Sequence, residues 1–238
     1  GALFNGIGDE DKPPELRDDV DVPNLAVFEL RKIFPPKRFG ARAVEAVQNV
    51  TFAVAPGECF GLLGSNGAGK TTTMSMVTRV IEPTSGDAKV VGASTLTDFG
   101  NATKHLSIVN QMNTIWDDTS CEDHVHLFAQ IRAAATGASA EAVDKLVQAT
   151  LHAVELEHHR GKLAGRLSGG MKRKLCCATA LVGDPKVVLL DEPSAGLDPV
   201  SQRNLWNLIK KTMVGRSVVL TTHSMYEADV LCSRVGIM

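Results

Sequence analysis

The chain has 238 residues, 44% hydrophobic and 22% charged, with a net charge of −2. That is the size and make-up of one large globular domain or two small ones, able to bury a core without covalent staples. The charge balance argues against a nucleic-acid footprint, and no apolar run approaches the ~18–20 residues needed to cross a bilayer. Five cysteines, an odd number with no C-x-x-C spacing, point to reduced thiols rather than disulfides or a zinc site.

Residues 1–24 read as an acidic linker, with Asp9, Glu10, Asp11, Glu15, Asp18, Asp19 and Asp21 against Lys12 and Arg17, and with Pro13, Pro14 and Pro23 breaking any helix. Residues 25–238 carry the structured domain. There is no initiator Met and no signal-peptide pattern, and the chain stops at Ile237-Met238 inside an apparent strand, so a fragment of a longer polypeptide is expected.

A β-rich lobe opens with Leu25-Ala26-Val27-Phe28-Glu29-Leu30. Pro35 to Arg42 follow as a basic loop, and the alternating Val50-Thr51-Phe52-Ala53-Val54 reads as a half-buried strand. Glu58 to Leu63 form a short buried strand. It leads into Gly64-Ser65-Asn66-Gly67-Ala68-Gly69-Lys70-Thr71, which fits G-x-x-x-x-G-K-[ST]. Glycines let such a loop turn its N–H groups inward around a triphosphate. Lys70 adds a point charge near the β/γ-phosphates, and Thr71 offers a hydroxyl to Mg²⁺. Thr72 begins the outgoing helix, whose positive end faces the phosphates.

Beyond the turn at Pro83-Thr84-Ser85-Gly86, Ala88 to Val91 and Leu106 to Val109 read as strands, the second leading to Gln111. Residues from about 112 to 170 read as a small helical insertion. Thr119-Ser120-Cys121-Glu122 is the expected capping box of its first helix, and Ser139 starts a second. His124, His126, His152, His158 and His159 cluster here and are expected on the solvated surface.

Leu167-Ser168-Gly169-Gly170-Met171 opens a cationic helix at Lys172-Arg173-Lys174, a second N–H-rich anion site that a two-fold pair of chains could share. Lys186 to Leu190 and Ser217 to Thr221 are continuous apolar runs, as central parallel strands require. Asp191-Glu192 ends the first of these. With Pro193 following, which makes helix initiation a real competitor, the pair reads by residue type equally as a metal-and-water site or as a turn or helix cap. Asp198-Pro199 starts a helix with Leu205, Leu208, Ile209 and Met213 inward. His223 ends the second run, and Ser224-Met225-Tyr226-Glu227 caps the last helix.

The order phosphate loop, Gln111, LSGGM, VVLLDEP, SAGLD and His223 resembles the nucleotide-binding domain of ATP-binding cassette (ABC) proteins, over residues 25–238. GSNGAGKTTTMSM, SGGMKRKL, LDPVSQRNLW and TTHSMYEADVLCSR resemble the lipid-linked A subfamily of eukaryotic ABC transporters and bacterial daunorubicin-resistance-type cassettes. The resemblance implies an α/β P-loop NTPase core with a mainly parallel sheet, an antiparallel β lobe and a helical subdomain.

It also implies roles, with ATP and Mg²⁺ as cofactors. Gly64, Ser65, Asn66, Gly67, Ala68, Gly69, Lys70, Thr71 and Thr72 hold the phosphates. Thr71 and Gln111 ligate Mg²⁺, with Asp191 bound through water. Glu192 is the general base, and His223 contacts the γ-phosphate. Ser168, Gly169 and Gly170 serve the nucleotide of an opposing domain, and Asp198 crosses that interface. Phe34 stacks on adenine, with Phe39 as the spare and a core Phe as the plain alternative. Asn110 stands where the family usually has Pro, and Ser194-Ala195-Gly196 lacks one hydroxyl of the usual pattern.

The expected partners are a second such domain and transmembrane domains outside this chain, which would dock near residues 112–135 and place it at the cytoplasmic face of a membrane. No nucleic-acid partner is expected. A soluble ABC ATPase acting on ribosomes or DNA is the alternative, and a non-hydrolysing regulatory domain is argued against by Glu192 and His223.

Overall fold

The computed structural model describes residues 22–36 and 42–238. Most of the expected linker, and Phe39, lie outside the described residues. Two sheets form the frame. Strands β1 (Leu25–Phe34), β2 (Val44–Val54), β4 (Ser85–Val90) and β5 (Ala93–Ser94) make an antiparallel sheet in the order β2-β1-β4-β5. Strands β3 (Cys59–Leu63), β6 (Leu106–Val109), β7 (Val187–Asp191), β8 (Ser217–Thr222) and β9 (Arg234–Ile237) make a parallel sheet in the order β6-β7-β8-β3-β9.

The continuous apolar runs become the middle of the parallel sheet because both of its faces are covered. Val188 and Leu190 of β7 face one core cluster with Val218 and Leu220 of β8, while Val187 and Leu189 face the other with Phe60 and Leu62. The first cluster continues into helices α3 (Cys121–Thr136), α4 (Ala140–Ala153), α5 (Gly169–Leu181) and α6 (Pro199–Thr212). The second joins the antiparallel lobe and α1 (Lys70–Val77). A short α2 (Phe99–Ala102) and α7 (Met225–Leu231) complete the framework. Among the described residues no helix is long and apolar enough to cross a membrane.

Local signals set most helix starts. Ser139 caps α4 by accepting from the Ala142 N–H, and Asp198 caps α6 with Pro199 in the first turn. Two readings need correction. The cap of α3 is Ser120, not Thr119: its hydroxyl accepts from the Asp123 N–H and donates to the Asp123 carboxylate. Ser224 caps α7, but the Glu227 side chain does not return to the Ser224 N–H, which goes instead to the Thr222 hydroxyl. Glu227 is 2% exposed and accepts from Ser194 Oγ at 2.5 Å and Trp206 Nε1 at 3.0 Å.

His124 is also not on the surface. It is fully buried, with Nε2 accepting from the Trp116 N–H at 2.9 Å and Nδ1 2.7 Å from the Ser120 carbonyl. Its Nδ1–H tautomer therefore pins the segment entering α3. Among the remaining histidines, His126 lies 3.4 Å from Asp144 and His152 lies 3.4 Å from Glu157.

Candidate functional site

The carboxyl edge of a parallel sheet is where open α/β folds place their ligands. Here β3 delivers the 64–71 loop to that edge, β6 delivers Gln111, β7 delivers Asp191 and Glu192, and β8 delivers His223. The loop needs its glycines. Gly69 has φ 101°, and a Cβ there would lie 2.3 Å from the Ala46 carbonyl oxygen. Gly67 also has positive φ, at 86°. Lys70 opens α1 and is only 5% exposed. Its ammonium donates to the carbonyls of Gly64 at 2.8 Å and Ser65 at 3.0 Å, which holds it over the loop.

Asp191 is 3% exposed. Its Oδ1 accepts from Thr71 Oγ1 at 3.2 Å and from the Thr221 hydroxyl, so the carboxylate faces the first turn of α1. Glu192 has φ 44°, a left-handed conformation that costs a non-glycine residue about 1–2 kcal/mol. Two bonds hold it there, because its N–H reaches both the carbonyl and the hydroxyl of Thr221, at 3.1 and 3.0 Å.

The turn carries the Glu192 carboxylate into the crevice. Oε2 accepts from Gln111 Nε2 at 3.1 Å and lies 3.5 Å from His223 Nδ1, and Oε1 lies 3.8 Å from Lys70 Nζ. The rival reading of the acidic pair as a helix cap fails: the next helix starts at Pro199 under Asp198, seven and six residues beyond Glu192.

The oxygen set at this edge is the Thr71 hydroxyl, the Gln111 amide and the Asp191 carboxylate. These are hard ligands few enough to leave room for waters and phosphate oxygens, which fits Mg²⁺. The backbone N–H groups of the 64–71 loop, the Lys70 ammonium and the start of α1 fit a polyphosphate.

Phe34, Ser168, Gly169, Gly170 and Asp198 lie apart from this cluster. Among the described residues no hydrogen bond or ion pair joins them to it. Phe34 ends β1, 36% exposed, with Lys32 Nζ 5.2 Å from its ring centroid, so it is not a core residue. Ser168 caps α5 by accepting from the Met171 N–H, leaving Ser168 and Gly169 exposed. Gly170 lets α5 approach α6: a Cβ there would lie 2.9 Å from Ser201 Oγ. Asp198 accepts from the N–H groups of Val200 and Ser201, and hydrogen bonding to Ser201 holds its carboxyl below the ordinary aspartate value.

One residue of the site escaped the sequence reading. Arg173 sits in the cationic run of α5 but is 3% exposed. Its Nε donates to the Pro193 carbonyl at 2.6 Å. One terminal nitrogen reaches the carbonyls of Asn110 and Gln111, and the other those of Asp191 and Glu192. A single guanidinium thus ties the helix starting at Ser168 to the backbones of Gln111 and Glu192. The available signal was its register with buried Cys176, Cys177 and Ala180 at i+3, i+4 and i+7.

Residues 47–195 match the family model described as ABC transporter. ABC transporter A family member 9 of Arabidopsis thaliana is 44% identical over 195 residues, 81% of this chain and 20% of that protein. The human retinal-specific phospholipid-transporting ATPase ABCA4 is 43% identical over 251 residues, 99% of this chain and 11% of that protein. The chain thus spans a fifth or less of the length of these two relatives. Among solved structures, an ATP-binding subunit of an ABC transporter is similar with a TM-score of 0.73 and 25% identity, over 90% of this chain and 85% of that one. The dimeric post-hydrolysis state of the ATP-binding cassette MJ0796 bound to ADP and Pi has a TM-score of 0.76 and 24% identity, over 90% of this chain and 94% of that one.

Proposed function

The chain belongs to the ABC transporter family, with relatives in its A subfamily, and from that premise we propose that it is an ATP-hydrolysing domain, one half of a two-domain ATP clamp that drives membrane transport. The observation that carries the reading is the meeting of Glu192 with Lys70, Gln111 and His223 in one crevice.

Glu192 acts as the general base, polarising the water that attacks the γ-phosphate. Its partners fix the direction of its carboxylate. Lys70 and the 64–71 loop bind the phosphates, and His223, 57% exposed, contacts the γ-phosphate from the neighbouring strand end. Thr71 and Gln111 hold Mg²⁺, with Asp191 acting through water. The cation, when bound, neutralises charge on the phosphate oxygens. Phe34 stacks on the adenine.

The start of α5 at Ser168, Gly169 and Gly170, exposed at the first two, serves the nucleotide held by the opposing domain. The first N–H groups of α5, at Gly169 and Gly170, which the Ser168 cap does not take, suit a phosphate. Asp198, at the neighbouring start of α6, crosses the same interface. Transmembrane domains dock near residues 112–135, where Met112, Trp116, Leu127 and Ile131 are exposed apolar side chains. That docking places the chain at the cytoplasmic face of a membrane. Phospholipid, named for one relative, is the proposed class of cargo.

A mixing experiment tests the shared site. Lys70→Ala abolishes the chain's own phosphate loop, and Ser168→Arg blocks the site it offers a partner. Each variant alone is expected to be silent, and an equal mixture to regain ATP hydrolysis through the one intact composite site. A silent mixture of folded chains contradicts the clamp.

A further inference from the structure

Strand β3 presents Cys59 and Gly61 on one face, and the chain leaving α7 lays Cys232 across that face. The two sulfurs are 4.0 Å apart, with the Cys59 thiol directed at Cys232 Sγ. Gly61 makes the approach possible, since a Cβ there would lie 2.8 Å from Cys232 Sγ. Backbone pairing fixes the neighbourhood: the Ser233 N–H donates to the Cys59 carbonyl at 2.9 Å, and β9 then runs parallel to β3 from Phe60↔Arg234. Two thiols 173 positions apart are therefore held together by the sheet.

Both are half-buried, whereas Cys121, Cys176 and Cys177 are buried. Cys59 also lines a cavity of about 440 Å³ with Gly57, Met213 and Leu231, the residue before Cys232, so the pair lies beside an opening that admits a small molecule. The pair lies at the start of β3, at the opposite end of that strand from the phosphate loop.

We propose that Cys59 and Cys232 form a reversible thiol–disulfide pair, oxidised by a hydroperoxide to a bond within the chain. The Cys232 thiolate attacks one peroxide oxygen. The O–O bond breaks, the departing oxygen takes a proton, and Cys232 becomes a sulfenic acid. Cys59 then attacks that sulfur. The S–S bond forms as the S–OH bond breaks, and the hydroxyl leaves with the Cys59 proton as water. Two electrons pass from the sulfurs to the peroxide. With hydrogen peroxide the products are the disulfide and two waters, and a dithiol reverses the step.

Cys232 is the attacking thiol because the Cys59 thiol is directed at its sulfur and stabilises the thiolate there; that contact lowers Cys232 below an ordinary cysteine and, with burial, raises Cys59. In a reducing compartment such pairs are transient and regulatory rather than structural. Here the bond would clamp the strand that feeds the phosphate loop to the helix that follows His223.

The test treats the 238-residue chain with hydrogen peroxide, then denatures it and alkylates it. The expected product is lighter by two hydrogens, carries alkyl groups on Cys121, Cys176 and Cys177, and yields a peptide joining Cys59 to Cys232 that dithiothreitol releases. In Cys59→Ser, dimedone should label Cys232 ahead of the buried cysteines. All five cysteines alkylated after treatment, a bond between any other pair, or chains joined to each other through either residue would overturn the proposal. Mapping the parent chain needs no variant, so a poorly folding Cys59→Ser does not obscure the result.

Discussion

Gln111 and Glu192 are joined side chain to side chain, Nε2 to Oε2 at 3.1 Å, although 81 positions separate them. One follows an edge strand of the parallel sheet and the other its neighbour. A residue proposed to hold the metal and a residue proposed to activate water thus share a bond. A movement of the 112–135 segment would reach the proposed base through that bond.

The nucleotide-binding reading makes Phe34 an exposed stacking platform. Phe34→Ala is expected to weaken ATP binding about 10–100-fold, the scale of base–aromatic stacking. The melting temperature should hardly move, because the ring packs no core. Phe34→Tyr should retain affinity. Fluorescent-nucleotide titration of the three proteins checks this, and unchanged affinity in Phe34→Ala removes the assignment.

Arg173 carries more than its position in a charged run suggests. Arg173→Met leaves the carbonyls of Asn110, Asp191 and Pro193 without that donor. Losing these bonds is expected to cost about 3 kcal/mol. A thermal melt should fall by about 6–12 °C for a domain of this size. Arg173→Lys should not rescue it, since a single ammonium cannot span the carbonyls the guanidinium reaches. Hydrolysis should fall with stability, because the backbones of Gln111 and Glu192 lose a common anchor.

Asp198 gives the account a pH dependence. Hydrogen bonds from Ser201 and Val200 hold its carboxyl below the ordinary aspartate value in the folded chain. Its stabilising contribution is therefore complete above the unfolded aspartate value and is lost as pH falls through the lower folded one. Asp198→Asn keeps a cap and removes that titration, so the acid limb of a stability profile should flatten. Asp198→Ala should lower stability at neutral pH as well. An acid limb identical in parent and Asn variant contradicts the linkage.

The sequence disclosed features whose causes are local. Glycine spacing in the 64–71 loop, Asp198-Pro199 at the start of α6 and the apolar runs of β7 and β8 are each set by a few adjacent residues. The cap of α3 was misplaced because Thr119 and Ser120 are adjacent cap formers, each with an acid three positions on, at Glu122 and Asp123. Arg173, His124 and Glu227 were missed for a different reason. Their residue types read as surface, and their burial is set by partners in other elements, such as Pro193 for Arg173 and Ser194 for Glu227. The Cys59–Cys232 contact was invisible in the spacing of five cysteines because the sheet alone makes those two neighbours.

The most direct test of the clamp is light scattering on Glu192→Gln with and without Mg-ATP, beside ATPase assays of the variant and its parent. The substitution keeps the side chain's shape and its contacts with Gln111 while removing the base. The account predicts ATP-dependent dimers of the variant and hydrolysis slowed by about 10²–10⁴, with the parent turning over. Hydrolysis by the variant at the parent's rate, or ATP-bound variant that stays monomeric, would contradict it.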